Sequence, residues 1–564
     1  MLLAATIIAW SVSFPCFATT YYVHPTDGND ANSGTSDQLP WRTLLRASAA
    51  KLQAGDFLLL AAGQKFEGQL TYAGLTGSDS APIVIASYSA TNSGGASRAF
   101  IDARGCQAGV RLKNSGHINI RDLSISADAG GMNPRQTAPA TMRCGILIEA
   151  DQPGKYEGFT LSNLVLKDVF FEEPGFVRSP EEVKSANGTQ KYGWGIRFLA
   201  TLPDTIMRNI SITDCHIENV DHTGLKFTAP SNGLQNVDVQ RVRIAHTGGP
   251  GVQMSGLAGG RFSYLEVNGS GSTNDTRNWG RGSGLWTWGS SDVVIEKSRF
   301  QNASGPGDSA GVHVDFNCRN IIVQNNLSAN NAGGFCEILG NNFNCAYRYN
   351  VSVNDGYRVK GQKGAFQEGK TFWLSGYTGD KSPRKGPFNT YFYNNTIYVS
   401  KEIVSKVAVS PTAEGVLIAN NIFYIAGRSE SVLGDQNRPD LGKVAALPNV
   451  MFENNLYLRA DNWPTQSLIQ DQSPMVGDPQ FGKAGGYQPQ DYIPQNIALI
   501  KDKGISIRQL PHDQVGLIGG LQVDTDILGT RIDARPDIGA IEVKSDYHPT
   551  SAKPAAKLPL PKTE

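Results

Sequence analysis

Four residues able to move or hold protons lie close together in the chain: Asp308, His313, Asp315 and Glu337. Two carboxyls of this kind can cleave a glycosidic bond, one attacking the sugar and the other protonating the leaving oxygen. If Asp315 and Glu337 occupy one column on neighbouring parallel strands, they stand ~4.8 Å apart. That is close to the ~5 to 5.5 Å of retaining enzymes and short of the ~6.5 to 9.5 Å that inverting enzymes need. Mutual repulsion at such a distance raises the pKa of one partner and lets it keep a proton near neutral pH. Asp315 is expected as nucleophile and Glu337 as acid/base. His313 could orient a carboxylate or donate to a sugar hydroxyl, and Asp308, in the Pro306-Gly-Asp308-Ser turn, is a third acid or a turn residue. Asp315 and Glu337 could instead brace a turn or hold Ca²⁺, which takes six to eight oxygens, whereas Asn317 nearby adds to the groups expected to bind substrate. Trp286 and Trp288 precede them, and indole faces stack on the C–H faces of sugar rings.

These residues ride on a repeat. A short phrase opening with glycine recurs as Gly195-Ile-Arg-Phe, Gly224-Leu-Lys-Phe, Gly251-Val-Gln-Met, Gly284-Leu-Trp-Thr-Trp, Gly311-Val-His-Val-Asp and Gly333-Gly-Phe-Cys-Glu. Starts lie roughly 22 to 33 residues apart, the period of stacked units that cannot bury an apolar face singly. Aligned on their glycines, the phrases put Arg197, Lys226, Gln253, Trp286, His313 and Phe335 in one row and Thr228, Ser255, Trp288, Asp315 and Glu337 in a second. Side chains two apart on a strand share a face, so both rows form a polar and aromatic binding surface. The alternate residues, among them Ile196, Phe198, Leu225, Phe227, Val312 and Val314, must fill the interior. Alternating runs such as Ile210-Ser-Ile-Thr-Asp-Cys-His-Ile217 follow each phrase, giving an all-β solenoid wound as a right-handed parallel β-helix.

A second ladder supports the coil. Asn-Asn or Tyr-Asn precedes a strand at Asn325-Asn326, Tyr349-Asn350, Asn394-Asn395, Asn420-Asn421 and Asn454-Asn455. Asn tolerates the left-handed backbone and can bond to the amide above it, so these read as stacked turn residues rather than glycan acceptors. A helix around Trp41 to Leu52 and a buried strand at Ala54 to Leu60 would cap the open edge of the solenoid. The organisation expected is a signal segment (1–18), a cap with the first coils (19–95), the β-helix (96–460), an irregular C-terminal region (461–546) and a disordered tail (547–564). Lys360 to Trp373 offers Lys363, Glu368 and Lys370 on a loop that could wall the cleft.

Equal numbers of basic and acidic residues, 51 each, among 564 leave no electrostatic footprint for nucleic acid. The apolar opening through Cys16-Phe-Ala18 reads as a secretory signal, so the protein is expected to be secreted or periplasmic, without a membrane span once the signal is removed. Six cysteines then remain. Cys318 and Cys345, each closing a Phe-Asn-Cys triplet, are the favoured disulfide, with buried free thiols as the alternative. No Cys/His spacing points to zinc.

The opening Tyr21-Tyr-Val-His-Pro-Thr-Asp-Gly-Asn-Asp-Ala-Asn-Ser-Gly-Thr35, then Pro40-Trp41 and Ala54-Gly-Asp56, the coils, and the closing Pro536-Asp-Ile-Gly-Ala-Ile-Glu542 resemble exported right-handed parallel β-helix proteins of the pectate-lyase-like superfamily. That resemblance implies a carbohydrate ligand without fixing the reaction. The pair Asp315 and Glu337 is similar to that of β-xylosidase-type glycosidases of this fold. Three functions stay open: a retaining glycoside hydrolase acting on a polysaccharide or oligosaccharide without a cofactor; a polysaccharide lyase using Arg197, Lys226 and His313, with Ca²⁺ on Asp308, Asp315 and Glu337; and a non-catalytic polysaccharide-binding or assembly protein relying on Trp286 and Trp288.

Overall fold

The computed structural model describes residues 18–89, 95, 98–129, 141–186, 188–432 and 446–544. The signal segment, apart from Ala18, and the tail expected from residue 547 lie outside them. Strands stack into three parallel sheets of 14, 12 and 14 members, and successive strands in each sheet come from successive coils. We call the 12-stranded sheet the front, the sheet running from Thr20–Val23 to Val450–Glu453 the back, and that from Lys65–Glu67 to Met475–Val476 the side. One coil reads back (Thr205–Thr213), side (His216–Val220), front (Leu225–Thr228). The interior is one apolar cluster drawn from all three sheets, including Ile196, Phe198, Leu225, Phe227, Val312 and Val314 as expected.

The recurrent glycine has a steric cause. A Cβ at Gly195, Gly224, Gly251 or Gly284 would sit between 2.3 and 2.9 Å from Ile217, Ile244, Val267 or Phe300 of the side sheet. Those four residues form one column, which continues through Ser328 and Ser352. The glycine persists at Gly311, where a Cβ would lie 2.2 Å from Ser328 Oγ, but one coil later the front strand carries Phe335 in its place: Ala310 pairs with Gly334 and Val312 with Cys336, so Gly311 stands opposite Phe335. Phe335 is buried in the interior against Tyr347 and Phe392. The register expected at Gly333 is therefore displaced by two residues. Phe335 leaves the outward row, and Glu337 enters it.

The paired Asn residues divide their labour. Asn325, Tyr349, Asn394, Asn420 and Asn454 take positive φ at the corner. Their successors, Asn326, Asn350, Asn395, Asn421 and Asn455, donate amide to amide along the stack at 2.8 to 3.1 Å. Asp471 accepts from the last of them at 2.8 Å.

At the start, the helix Leu44–Ser48, capped by Thr43, packs on Leu70–Ala73, the first strand of the front sheet, whereas the strand Phe57–Ala61, expected in the cap, is the second member of the back sheet, between Thr20–Val23 and Ile83–Tyr88. After the stack, Leu510 and Leu517 pack against the back sheet, and Tyr492, Ala540 and Ile541 against the side sheet. All six described cysteines are buried free thiols, so the favoured disulfide does not form. Ile322 pairs with Ala346, which sets Cys345 beside Ile321 rather than beside Cys318.

Candidate active site

The front sheet presents one outward column: Arg197, Lys226, Gln253, Trp286, His313, Glu337 and Trp373. Glu337 thus stands beside His313, and Asp315 lies one step over, just beyond the strand Ala310–Val314. This corrects the expected shared column. The oxygens Asp315 Oδ1 and Glu337 Oε1 lie 4.0 and 3.5 Å from His313 Nε2. They are therefore no more than about 7.5 Å apart, a ceiling that admits either stereochemical class of glycosidase.

Asp308 and Asp315 flank the strand that bears His313, one before it and one after it. Asp308 and Ser309 both take positive φ, 47° and 68°, a conformation that aspartate tolerates and serine seldom adopts. The neighbours over-determine it. Arg358 Nη1 donates to the Asp308 carbonyl at 2.9 Å, Gln367 Oε1 accepts from its amide, and Arg281 Nε donates to Oδ2 at 2.7 Å. Oδ1 has no hydrogen-bond partner among the described residues. Burial pushes this carboxyl up, but Arg281, His313 and Arg358 together hold it below the usual aspartate value. Asp308 is an anchored anion with one free oxygen.

Asp315 is its counterpart. Trp286 Nε1 donates to Oδ2 at 2.9 Å and the Phe316 amide to Oδ1 at 2.8 Å. Burial nevertheless raises its pKa to about 7, with the charge of Asp308 adding to the effect. Two buried acids have thus been pushed apart in ionisation, the division that acid–base chemistry requires. Burial also raises the Glu337 carboxyl and lowers the Lys370 amine beside it, so neither charge is favoured. His313 is lowered to about 4 by burial, so its contacts with Asp315 and Glu337 are those of a neutral ring, not ion pairs. Neither of its nitrogens has a hydrogen-bond partner among the described residues, and its ring stacks on Trp286 at 5.6 Å.

Two loops running from the side to the front sheet supply the cations. Residues 271–284 carry Arg281, and residues 354–369 carry Arg358, Gln367 and Glu368. Sequence reasoning missed Arg281, Arg358 and Gln367, because loops of irregular length have no periodicity to align. Lys370, expected on a loop, opens the buried strand Lys370–Leu374 and lies 3.7 Å from the Trp373 ring centroid. Glu368 pairs with Lys406, and Lys363 is exposed.

The remaining expected residues separate. Trp288 is 39% exposed, edge-on to Phe316, and free to receive a sugar face. Trp286 is buried and spends its N–H on Asp315, so it is not the open platform expected. In the loop 271–284, Trp279 stacks on His222 at 4.5 Å. Arg197, Lys226 and Gln253 lie further up the column. Asn317 does not face it: exposed, with φ 65°, it accepts from Asn341 in a corner ladder of its own. Among the described residues no cluster of three or more His, Cys, Asp or Glu side chains is disposed to hold a metal, and no helix is long and apolar enough to cross a membrane.

Residues 206–397 match the family model described as a right-handed β-helix region. The chain is a right-handed parallel β-helix. This β-helix is distantly similar, 24% identical over 644 aligned positions, to a lacto-N-biosidase of Bifidobacterium longum subsp. longum. The alignment takes in 93% of the chain and 36% of that protein, so the chain spans just over a third of the relative's length. Among solved structures it resembles lacto-N-biosidase of Eubacterium ramulus, with a TM-score of 0.52, 20% identity, and coverage of 74% of this chain and 68% of that one. Pectate lyase Pel9A is more distant, with a TM-score of 0.40, 13% identity, and coverage of 94% and 98%.

Proposed function

We propose that this β-helix is a retaining glycoside hydrolase that cleaves an oligosaccharide or polysaccharide with Asp308 as nucleophile and Asp315 as acid/base. The observation that carries the reading is their divided ionisation: Asp308 is an anchored anion beside Arg281, and Asp315 holds a proton close to neutral pH. Similarity to lacto-N-biosidase supports the glycosidase class. Asp315 protonates the glycosidic oxygen as the bond to the anomeric carbon breaks, while the free Oδ1 of Asp308 closes on that carbon. Water then enters, Asp315 takes its proton, and the sugar leaves Asp308 with its original configuration. Glu337, neutral and beside His313, is placed to hydrogen-bond a sugar hydroxyl. Trp288 offers the stacking face. No cofactor is called for. The apolar segment 1–18 supports export, so the substrate is met outside the cytoplasm.

The deciding experiment is a panel of oligosaccharides and polysaccharides, the substrates of lacto-N-biosidases included, read for new reducing ends and for absorbance near the ultraviolet edge. Hydrolysis yields the first without the second, and chelator leaves it unchanged. Absorbing products lost on chelation would instead establish the lyase reading. With Asp308→Gly, azide should restore turnover as a glycosyl azide of inverted configuration; with Asp315→Gly, the azide product should keep its configuration. The reverse pattern would exchange the two roles.

A further inference from the structure

The outward column does not begin at the carboxyls. Its earlier members, Arg197, Lys226 and Gln253, stand on three consecutive coils directly before Trp286, with Arg197 paired to Lys226 and Lys226 to Gln253. Arg197 is 7% exposed and Lys226 8%. The Arg197 guanidinium carbon lies 4.1 Å from the Trp194 ring centroid, and its Nη1 meets the Met142 sulfur at 3.4 Å. Its Nε has no hydrogen-bond partner, and neither does the buried Trp194 indole N–H. The hydrogen bond of Lys226 goes to the neutral Gln253 amide oxygen.

Two buried cations one strand apart, ~4.8 Å, repel strongly unless an anion lies between them. No carboxylate among the described residues is paired with either. Glu149, the acid that acts on Arg197, is bound by Arg111, and Asp221 is bound by Arg178. His222, close to both, is kept neutral by burial and by these same cations. Burial, then Arg197, lowers Lys226 to about 7, as befits an ammonium without a counter-charge. Buried charges are normally paired, so an unpaired pair of cations with idle donors is a binding device rather than a support. Lys226 lies three strands, about 14 Å, from His313 along one continuous column. That is the reach of a short oligosaccharide.

We propose that Arg197, Lys226 and Gln253 form a subsite for an anionic sugar, bearing a carboxylate or a sulfate, on the same oligosaccharide that the carboxyls cleave. The proposal rests on the glycosidase reading for its substrate chain, but its test does not need turnover. In thermal-shift and calorimetric titrations of the full chain, D-glucuronate or inorganic sulfate should bind and raise the melting temperature, whereas D-glucose should not. The stronger of the two anions separates a uronic-acid sugar from a sulfated one. Below about pH 7, where Lys226 carries its charge, Lys226→Met should weaken anion binding about tenfold or more while melting higher than wild type without ligand, since an unpaired buried charge is gone. Lys226→Arg should keep the response. If Lys226→Met does not fold, methyl glucuronate ester decides on the wild type, because loss of the charge alone must abolish binding. Equal anion responses in wild type and Lys226→Met, or none in wild type, would overturn the subsite. In the wild-type protein, intact anion binding with no hydrolysis of any neutral or acidic sugar would sink the glycosidase reading alone.

Discussion

Replacing Trp286 with Phe keeps an aromatic ring at the position that stacks on His313 at 5.6 Å but makes it smaller, and it removes the N–H that reaches Asp315 Oδ2 at 2.9 Å. A hydrogen bond to a charged group contributes about 1.5 to 3 kcal/mol. It survives in weaker form when the acid is protonated, so its differential effect is about 1 kcal/mol, somewhat under one pKa unit at about 1.36 kcal/mol per unit. This bond favours the carboxylate, and its loss should raise the Asp315 pKa further above its present value of about 7. The acid must be protonated to act, so the alkaline limb of kcat/KM should move upward by about half a unit to one unit. Titration of the Asp315 carboxyl carbon by NMR should follow the same shift without requiring substrate. Trp288→Phe, at a position whose indole is not among the donors to the Asp315 carboxylate, should leave both curves in place. An alkaline limb that stays put or moves down in Trp286→Phe would show that Asp315 is not the titrating acid.

Arg281→Met should act on the opposite limb: with its guanidinium gone, burial dominates Asp308, its pKa rises, and activity is lost at a higher pH on the acid side, as a pH–rate profile will show. Trp288→Ala should raise KM several-fold with kcat nearly unchanged, because the exposed indole binds ground state and transition state alike. Asn395→Ala should destabilise by about 2 to 6 kcal/mol in denaturant unfolding, since it strands the buried Asn350 amide and the Tyr347 carbonyl at about 1 to 3 kcal/mol each. A change below about 0.5 kcal/mol, the level of an ordinary surface substitution, would mean that water replaces the ladder.

The coil was readable because its causes are local. Gly195 to Gly284 recur where large side-sheet residues exclude a Cβ, and the Asn pairs recur where each corner needs a left-handed residue and an amide above it. The same rule misled at the sixth phrase. Glycine marks the column as far as Gly311, where a Cβ would still meet Ser328 at 2.2 Å, but one coil on Phe335 takes the place and Gly333 is a false landmark. Cys318 and Cys345 misled similarly, since matching triplets do not guarantee matching register. Asp308, His313, Asp315 and Glu337 were found by type and density. Arg281, Arg358 and Gln367 were not, because they reach Asp308 from positions 27 to 59 residues away along loops whose lengths follow no period.

Those loops give the site a division of inheritance. The carboxyls belong to the coil and its corners, whose spacing the stacked sheets dictate, while the cations that decide which carboxyl is charged arrive on segments 271–284 and 354–369, which belong to no sheet. Exchanging such a segment between two β-helices would therefore transplant more than the outline of a groove. It would carry the acid–base setting of a catalytic residue it does not contain, so that the working pH of the recipient could change with every atom of its own carboxyls left in place.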